Sequence, residues 1–272
     1  MNRKTVVLTG AAGGMGSAVR SLLEKKGFTV WSLDIADLSS ERYIRTDITD
    51  EASLQNAFLK IREESGSIDA IIHTAGIYDM NSLVEMTREE LLNIFNINFF
   101  AAASVNRLFL PLMNPGSRII MVSSELAPLD PLPFTGVYAI TKSTIEKYAY
   151  SLRMELQLLG HYVSVIRPGA VKTSFLGQSQ RKIEQFCSKT ELYKNTSKRF
   201  LGLVNSIETA NVEPSRIADT ILKALTANRP RYVYNINRSP LLRLLNAMPQ
   251  RLQNYVIKRI LTKEKNDGHT EQ

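Results

Sequence analysis

Tyr138 and Lys142 stand four residues apart in the stretch VYAITKS. That spacing puts both side chains on one face of a helix. Such a pair can move a proton without histidine or cysteine. A free tyrosine titrates near 10, and bringing it to about 7 takes roughly 4 kcal/mol of preferential phenolate stabilisation. A cation about 4 Å away, at an effective dielectric of about 20, supplies roughly that amount. Most Tyr-x-x-x-Lys pairs are only a half-buried phenol beside a solvated ammonium, so the surrounding chain must decide.

The elements that would position the pair follow from apolar patterning. Short β-rich runs at Thr5–Thr9, Phe28–Leu33, Tyr43–Arg45, Ala70–His73, Arg118–Val122 and Tyr162–Ile166 alternate with helical spacing. The helical stretches are Gly16–Lys26, Glu51–Glu64, Arg88–Met113 and Val137–Leu159, and a further unit follows with Pro214–Ala227 and a last strand at Tyr232–Tyr234. Near-continuous apolar strands separated by helices predict a parallel sheet covered on both faces. Two segments break this rhythm: the lysine-rich Lys172–Asn211, and Arg238–Lys265, which reads as two amphipathic helices divided at Pro249. With no repeat and no low-complexity linker, residues 1–272 are expected to form a single catalytic domain with an insertion and a tail.

Composition narrows the chemistry. The 272 residues are 44% hydrophobic, enough for one large domain with a substantial core. Cys187 is the single cysteine, which rules out an intrachain disulfide and suits a reducing compartment. His73, His161 and His269 lie far apart and no CxxC or HExxH spacing occurs, so no metal is expected. The net charge of +8 permits several anionic partners, but no nucleic-acid motif accompanies it. The N-terminal apolar run is only Val6–Leu8 before Thr9-Gly10 interrupts it, which reads as a strand rather than a signal peptide. No run of spanning length occurs, and a cytoplasmic protein is expected.

The stretch TGAAGGMG, Thr9–Gly16, follows the first strand and opens a helix. Glycines there free the backbone to approach a ligand, and the helix presents unpaired N–H groups and its positive dipole end to a phosphate. Gly16-Ser17-Ala18 replaces the Gly-Lys-Ser/Thr of a P-loop, which disfavours nucleoside-triphosphate hydrolysis. Asp34 closes the second strand 18 residues past Gly16, a distance suited to binding both hydroxyls of an adenosine ribose. It would repel a 2′-phosphate, so NAD is favoured over NADP; the alternative is a turn aspartate, and Arg42 and Arg45 lie near enough to serve a 2′-phosphate. Asp47, with Ile48 beside it, follows the third strand and would meet the adenine amine. His73-Thr74-Ala75-Gly76 ends the fourth strand, where ligands gather in open α/β sheets, and adds Ala75 and Gly76 to the nucleotide set.

These motifs, in this order, resemble the short-chain dehydrogenases/reductases, closely over Lys4–Thr173 and loosely beyond. The resemblance implies a Rossmann-type, doubly wound parallel α/β fold. The family's TGxxxGxG is Thr9, Gly10, Gly14 and Gly16, with Met15 inside it; its Asn-Asn-Ala-Gly survives only as His73-Thr74-Ala75-Gly76. The resemblance makes Asn98, Ser124, Tyr138 and Lys142 the catalytic set, and Pro168, Gly169 and Thr173 the nicotinamide contacts. Tyr138 is then the general acid/base and Lys142 also binds the nicotinamide ribose. Ser124 holds the substrate oxygen, and mid-helix Asn98 anchors a water that links Lys142 to solvent. Counting thirteen residues before Tyr138 lands on Glu125, a longer proline-containing loop favours Ser124, and Ser123 is the alternate.

The tail PRYVYNINRSPLLRLLNAMPQRL is loosely similar to members acting on retinoids and hydroxysteroids. A lipophilic secondary alcohol or ketone is therefore the expected substrate. Phe175, Leu176, Phe186, Leu192, Tyr193 and Phe200 would wall its pocket, with Lys182, Lys189, Lys194 and Lys198 at the rim. Packing of those aromatics on their own domain is the alternative reading. Rival functions are a reductase of polar carbonyls such as sugars or acyl-thioesters, and a non-catalytic dinucleotide sensor. Family members commonly form homodimers or homotetramers through the helices holding Asn98 and Tyr138. For the basic C-terminal helices, packing on the domain is favoured over contact with a membrane surface.

Overall fold

Alternate residues of β1 (Thr5–Thr9) serve opposite faces, Val7 packing into one core layer and Val6 and Leu8 into the other. The computed structural model describes residues 3–172, 174–207 and 211–262, and the side chains of 174–180 and 205–207 lie outside that description. Seven strands form one all-parallel sheet in the order β3-β2-β1-β4-β5-β6-β7. In chain order β1 is followed by α1 (Gly14–Lys25), β2 (Thr29–Asp34), β3 (Tyr43–Arg45), α2 (Glu51–Ser65) and β4 (Ile68–His73). Then come α3 (Arg88–Phe95), a π turn at Asn96–Phe100, α4 (Ala101–Phe109), β5 (Met113–Val122), α5 (Gly136–Leu156) and β6 (Tyr162–Pro168). The chain continues through α6 (Ser174–Lys189), α7 (Lys194–Ile207), α8 (Pro214–Thr226), β7 (Val233–Ile236), α9 (Pro240–Asn246) and α10 (Gln250–Thr262).

One core layer lies under α2, α4 and α5, built on Trp31, Ile71, Phe109 and Ile119; the other lies under α1 and α8, built on Leu8, Leu23, Ile72 and Ile217. Both faces of the sheet are thus covered, which is why its strands read as unbroken apolar runs. Between β1 and β4 the strand order reverses, and in open α/β sheets the ligand crevice lies at the carboxyl ends of the strands at this switch point. The glycine turn and His73–Gly76 both open onto it.

The stretch Arg88–Met113 is not one helix. Within it the Ala101 N–H reaches the Asn96 carbonyl, an i→i−5 bond that inserts one extra residue into the helix. The segment Lys172–Asn211, expected as an insertion that covers the substrate, holds two helices over 174–207, and Glu85 fastens the link between them by accepting from Thr190 Oγ1 and the Glu191 and Leu192 amides. Phe186, Tyr193 and Phe200 surround the Phe134 ring with centroids 4.6, 5.1 and 5.3 Å away. These rings pack on one another and Leu192 is exposed, while Phe186 with Lys182 and Lys189 also borders an opening beside Ile77 and Met80, and Phe200 lines a separate apolar groove. Phe175 and Leu176 fall outside the described side chains.

Helix α5, which carries the Tyr-Lys pair, is fixed to β6 by a two-pronged ion pair. Arg167 Nε and Nη2 donate to the Glu146 carboxylate at 2.7 and 2.6 Å, with the two side chains 19% and 11% exposed. Removing one partner strands the other charge in poor solvent, which costs on the order of 3 kcal/mol. Glu146→Gln should lose stability on that scale in urea unfolding. The double change Glu146→Leu with Arg167→Met should recover most of it; equal loss in both variants would contradict this reading.

Candidate active site

Gly10 lies at φ +72°, and a Cβ there would sit 2.5 Å from the Ala75 amide nitrogen. A Cβ on Gly16 would lie 2.0 Å from the Gly10 carbonyl oxygen. The glycines therefore let the turn after β1 fold against both α1 and the loop after β4. Helix α1 starts at Gly14, two residues earlier than expected, with Met15 packed half-buried against the core under α1 and α8. Its N-cap Gly13 offers no side-chain acceptor and its first turn has no acidic residue, whereas Asp50 caps α2 and Thr87 caps α3. The α1 amides thus keep their positive end for an anion.

Asp34 accepts from the Ala12 amide at 2.9 Å through Oδ2 and from the Ala36 amide at 3.0 Å through Oδ1. Its carboxylate is thereby held beside the glycine turn. Arg45 Nε donates to the Ile35 carbonyl at 3.2 Å and Arg42 pairs with Glu41 at 3.3 Å. Asp47 is exposed and its Oδ1 accepts from the Thr49 amide and hydroxyl, while Ile48 packs half-buried under α2.

The altered motif after β4 is rewired by its own residues. Thr74 Oγ1 donates to the Thr9 carbonyl at 2.7 Å, tying the two strand ends together. Buried His73 contacts Asn106 Oδ1 through Nε2 at 2.8 Å, and burial pushes its pKa down to about 4. The ring is therefore neutral and structural.

Ser124, Tyr138 and Lys142 converge at the end of β5. The Ser124 hydroxyl hydrogen-bonds the Tyr138 phenol and also accepts from the Leu126 amide at 3.2 Å. Ser123 instead points to the Lys142 carbonyl at 3.4 Å. Glu125, on which the count back from Tyr138 lands, instead accepts from the Ser239 amide at 2.6 Å, fastening the C-terminal segment. Burial raises its carboxyl pKa, with the Ser239 amide and Arg238 opposing. Pro168 ends β6, and Gly169 passes so close to β7 that a Cβ would lie 1.9 Å from the Asn237 carbonyl oxygen. Thr173 lies outside the described residues.

Lys142 is 6% exposed; its Nζ donates to the Val122 carbonyl at 3.2 Å and lies 5.7 Å from the Tyr138 ring centroid. Burial lowers its pKa to about 8. The phenol itself is pushed well above its ordinary value by burial, which the Ser124 hydrogen bond only partly offsets. The sufficiency of the lysine alone, expected from spacing, does not hold in the free chain. Desolvation of the phenolate sets the direction of the shift.

Asn98 sits in the π turn rather than mid-helix. It accepts from the Ile77 amide at 2.8 Å and donates to the Ile77 carbonyl at 3.0 Å and to Thr141 Oγ1 at 3.1 Å. It thereby fixes the loop after β4, where a Cβ on Gly76 would stand 3.2 Å from Asn98 Oδ1 and 3.4 Å from Lys142 Nζ. Two residues went unsuspected in the sequence. Tyr78 packs its ring 4.8 Å from that of Tyr138, and buried Thr141 holds Asn98. Thr141 lies inside VYAITKS itself; nothing in the spacing around Tyr78 marks it.

The short chain dehydrogenase family model matches residues 4–184. The chain belongs to that family and is an oxidoreductase, and the family generally binds NAD or NADP. It is 25% identical over 268 residues to 3-ketodihydrosphingosine reductase of Bacteroides thetaiotaomicron, covering 95% of this chain and 98% of that protein. It is 26% identical over 288 residues to estradiol 17-beta-dehydrogenase 2 of Mus musculus, covering 95% and 75%. Aldohexose dehydrogenase of Thermoplasma acidophilum shares the fold, with a TM-score of 0.70 at 19% identity over 86% of this chain and 93% of that one.

The Lys142 ammonium gives a pH test. The folded chain releases its proton near pH 8, whereas the unfolded chain holds it to 10.5. The unfolded state therefore binds more protons in that window, and stability rises with pH through it. Wild type should gain on the order of 3 kcal/mol relative to Lys142→Met between those limits. Parallel pH–stability curves for the two proteins would contradict a buried, charged lysine.

Proposed function

We propose that the chain transfers a hydride between NAD(H) and a lipophilic secondary alcohol or its ketone, with Tyr138 as general acid/base. The observation that carries this reading is the joined Ser124 and Tyr138 hydroxyls with the Lys142 ammonium buried behind them. The bound dinucleotide supplies or accepts the hydride. Ser124 binds the substrate oxygen and stabilises the charge that develops there. Tyr138 Oη gives its proton to that oxygen in reduction and takes it in oxidation. Its raised pKa keeps it a proton donor at rest, the form ketone reduction needs.

Lys142 has two ammonium protons with no protein acceptor among the described residues, and these suit the nicotinamide ribose hydroxyls. Its charge favours phenolate once the site is closed from water. Asn98 and Thr141 hold Ile77 and Gly76 over the ammonium and so preserve its position. Gly10, Gly14, Met15, Gly16, Ala75 and Gly76 would hold the pyrophosphate end; Pro168, Gly169 and Thr173 would border the nicotinamide; Asp47 and Ile48 would border the adenine.

NAD is preferred because the Asp34 carboxylate, fixed by two amides, would repel a 2′-phosphate. The nearby Arg42 and Arg45 already have partners. A lipophilic substrate suits the apolar surroundings of Tyr138, which packs with Ile77, Tyr78, Met86 and Leu126. The two relatives, one a reductase of 3-ketodihydrosphingosine and one a dehydrogenase of estradiol, support the same class.

In a panel of apolar and polar ketones, Tyr138→Phe should lose at least about a thousandfold in kcat/KM, the scale of acid–base catalysis, while retaining NADH affinity. Retained turnover in this variant, or turnover confined to sugars and short polyols, would overturn the assignment. Wild type should prefer NADH over NADPH by about tenfold or more, one repelled charge being worth over 1 kcal/mol. Asp34→Ser should erase that preference; a wild-type preference for NADPH would refute the role given to Asp34.

A further inference from the structure

The C-terminal helices lie beyond residues 4–184 that match the family. Between Arg238 and Thr262 stand Arg238, Arg243, Arg251, Lys258 and Arg259, and no aspartate or glutamate. Half-buried Arg238 faces the Glu125 carboxylate, which leaves Arg243, Arg251, Lys258 and Arg259 as four exposed cations with no acidic residue in the segment. The pair of helices is seated on the domain by buried Leu242 and Leu261, by Asn246 Oδ1 accepting from the Asp130 amide at 2.7 Å, and by Arg199 donating to the Leu261 carbonyl at 3.2 Å.

One side remains uncovered. A groove of about 150 Å³ runs between α7, α9 and α10, and every residue that lines it is apolar. Its lips are Leu241, Leu244 and Ile260, which are 53%, 61% and 50% exposed. Leu252 and Tyr255 continue the exposed apolar strip along α10 at 48% and 56% exposure. Arg251, Tyr255 and Lys258, spaced i, i+4 and i+7, share the neighbouring stripe. Arg259 Nη1 donates to Tyr255 Oη at 3.0 Å. The helix α10 thus has three sectors: one packed on α7, one apolar and open at the groove, one basic with an aromatic between the cations.

We propose that this face docks on an anionic lipid bilayer, with the groove lips among the acyl chains and the cations at phosphate level. An apolar patch of this kind marks an interaction surface. The groove's wholly apolar lining offers water no hydrogen-bond partner and suits hydrocarbon. The exposed cations of α9 and α10 select negative headgroups, and long basic side chains can hold their charges there while their stems lie on apolar surface. A second copy of the chain fits worse. A two-fold contact through this face would bring the same uncompensated cations against each other. No described helix is long and apolar enough to cross a membrane, so the contact is with the surface.

The test is co-sedimentation of the full-length protein with vesicles of phosphatidylcholine alone or mixed with phosphatidylglycerol. This readout needs no turnover, so it stands or falls separately from the substrate assignment. Wild type should bind the anionic vesicles and be released at roughly 0.5 M salt, where exposed charges are screened. Each cation near an anionic surface is worth roughly fivefold in partitioning. Arg251→Gln with Lys258→Gln should therefore bind roughly 25-fold more weakly. Leu241→Asp with Leu244→Asp should not bind, while keeping the NADH affinity and melting temperature of wild type. Wild type left in the supernatant with anionic vesicles at low salt would overturn the proposal. So would variants that bind as well as wild type, or aspartate variants whose only change is a smaller assembly, which would make this face a subunit interface.

Discussion

The buried ammonium of Lys142 is the constraint on which the site depends. An ammonium inside a folded protein is costly unless its protons are met, and here one carbonyl, that of Val122, meets one of them. The lysine therefore has to be forced into place by everything around it. Behind it, Glu146 and Arg167 clamp α5 to β6 one turn further along the helix. In front, Asn98 pins Ile77 so that Gly76 closes over the ammonium. The π turn exists at the point where Asn98 must turn inward to do this. Stability is lost at the site and supplied by the two apolar layers on either side of the sheet.

That arrangement changes how the tyrosine is understood. Spacing alone suggests a phenol acidified by its neighbour. Burial of both groups reverses the sign in the free chain, leaving Tyr138 an even weaker acid than in water. Proton transfer then requires the rest of the charge to arrive with the ligand, so that acidity appears only when the site is filled. The same crevice brings the glycine cradle after β1 and the Ala75-Gly76 loop after β4 to one place, because the strand order reverses between those strands.

Much of this was legible in the sequence where the signal is local. The runs TVVLT and YIR are strands over the residues expected, and the alternation of strand and helix specifies the parallel sheet. The π turn was not legible, since NINFF keeps an apolar pattern that an ordinary helix would also show. The pairing of Asn98 with Ile77 spans 21 residues and that of Glu125 with Ser239 spans 114, distances over which periodicity carries no information. The aromatics of 174–207 were visible as apolar, but their use in packing depended on Phe134, far away in the chain and at a positive φ of 67°. Desolvation at Tyr138 and Lys142 likewise follows from burial that no seven-residue stretch encodes.

The most direct measurement is a tyrosinate absorbance titration of wild type minus Tyr138→Phe, with and without saturating NAD⁺. Without the nucleotide, Tyr138 should stay protonated above its ordinary value near 10. With it, the ionisation should move below that value in wild type and remain high in Lys142→Met. A Tyr138 that ionises at the same pH with and without the nucleotide would contradict a proton-transfer group whose acidity depends on a filled site.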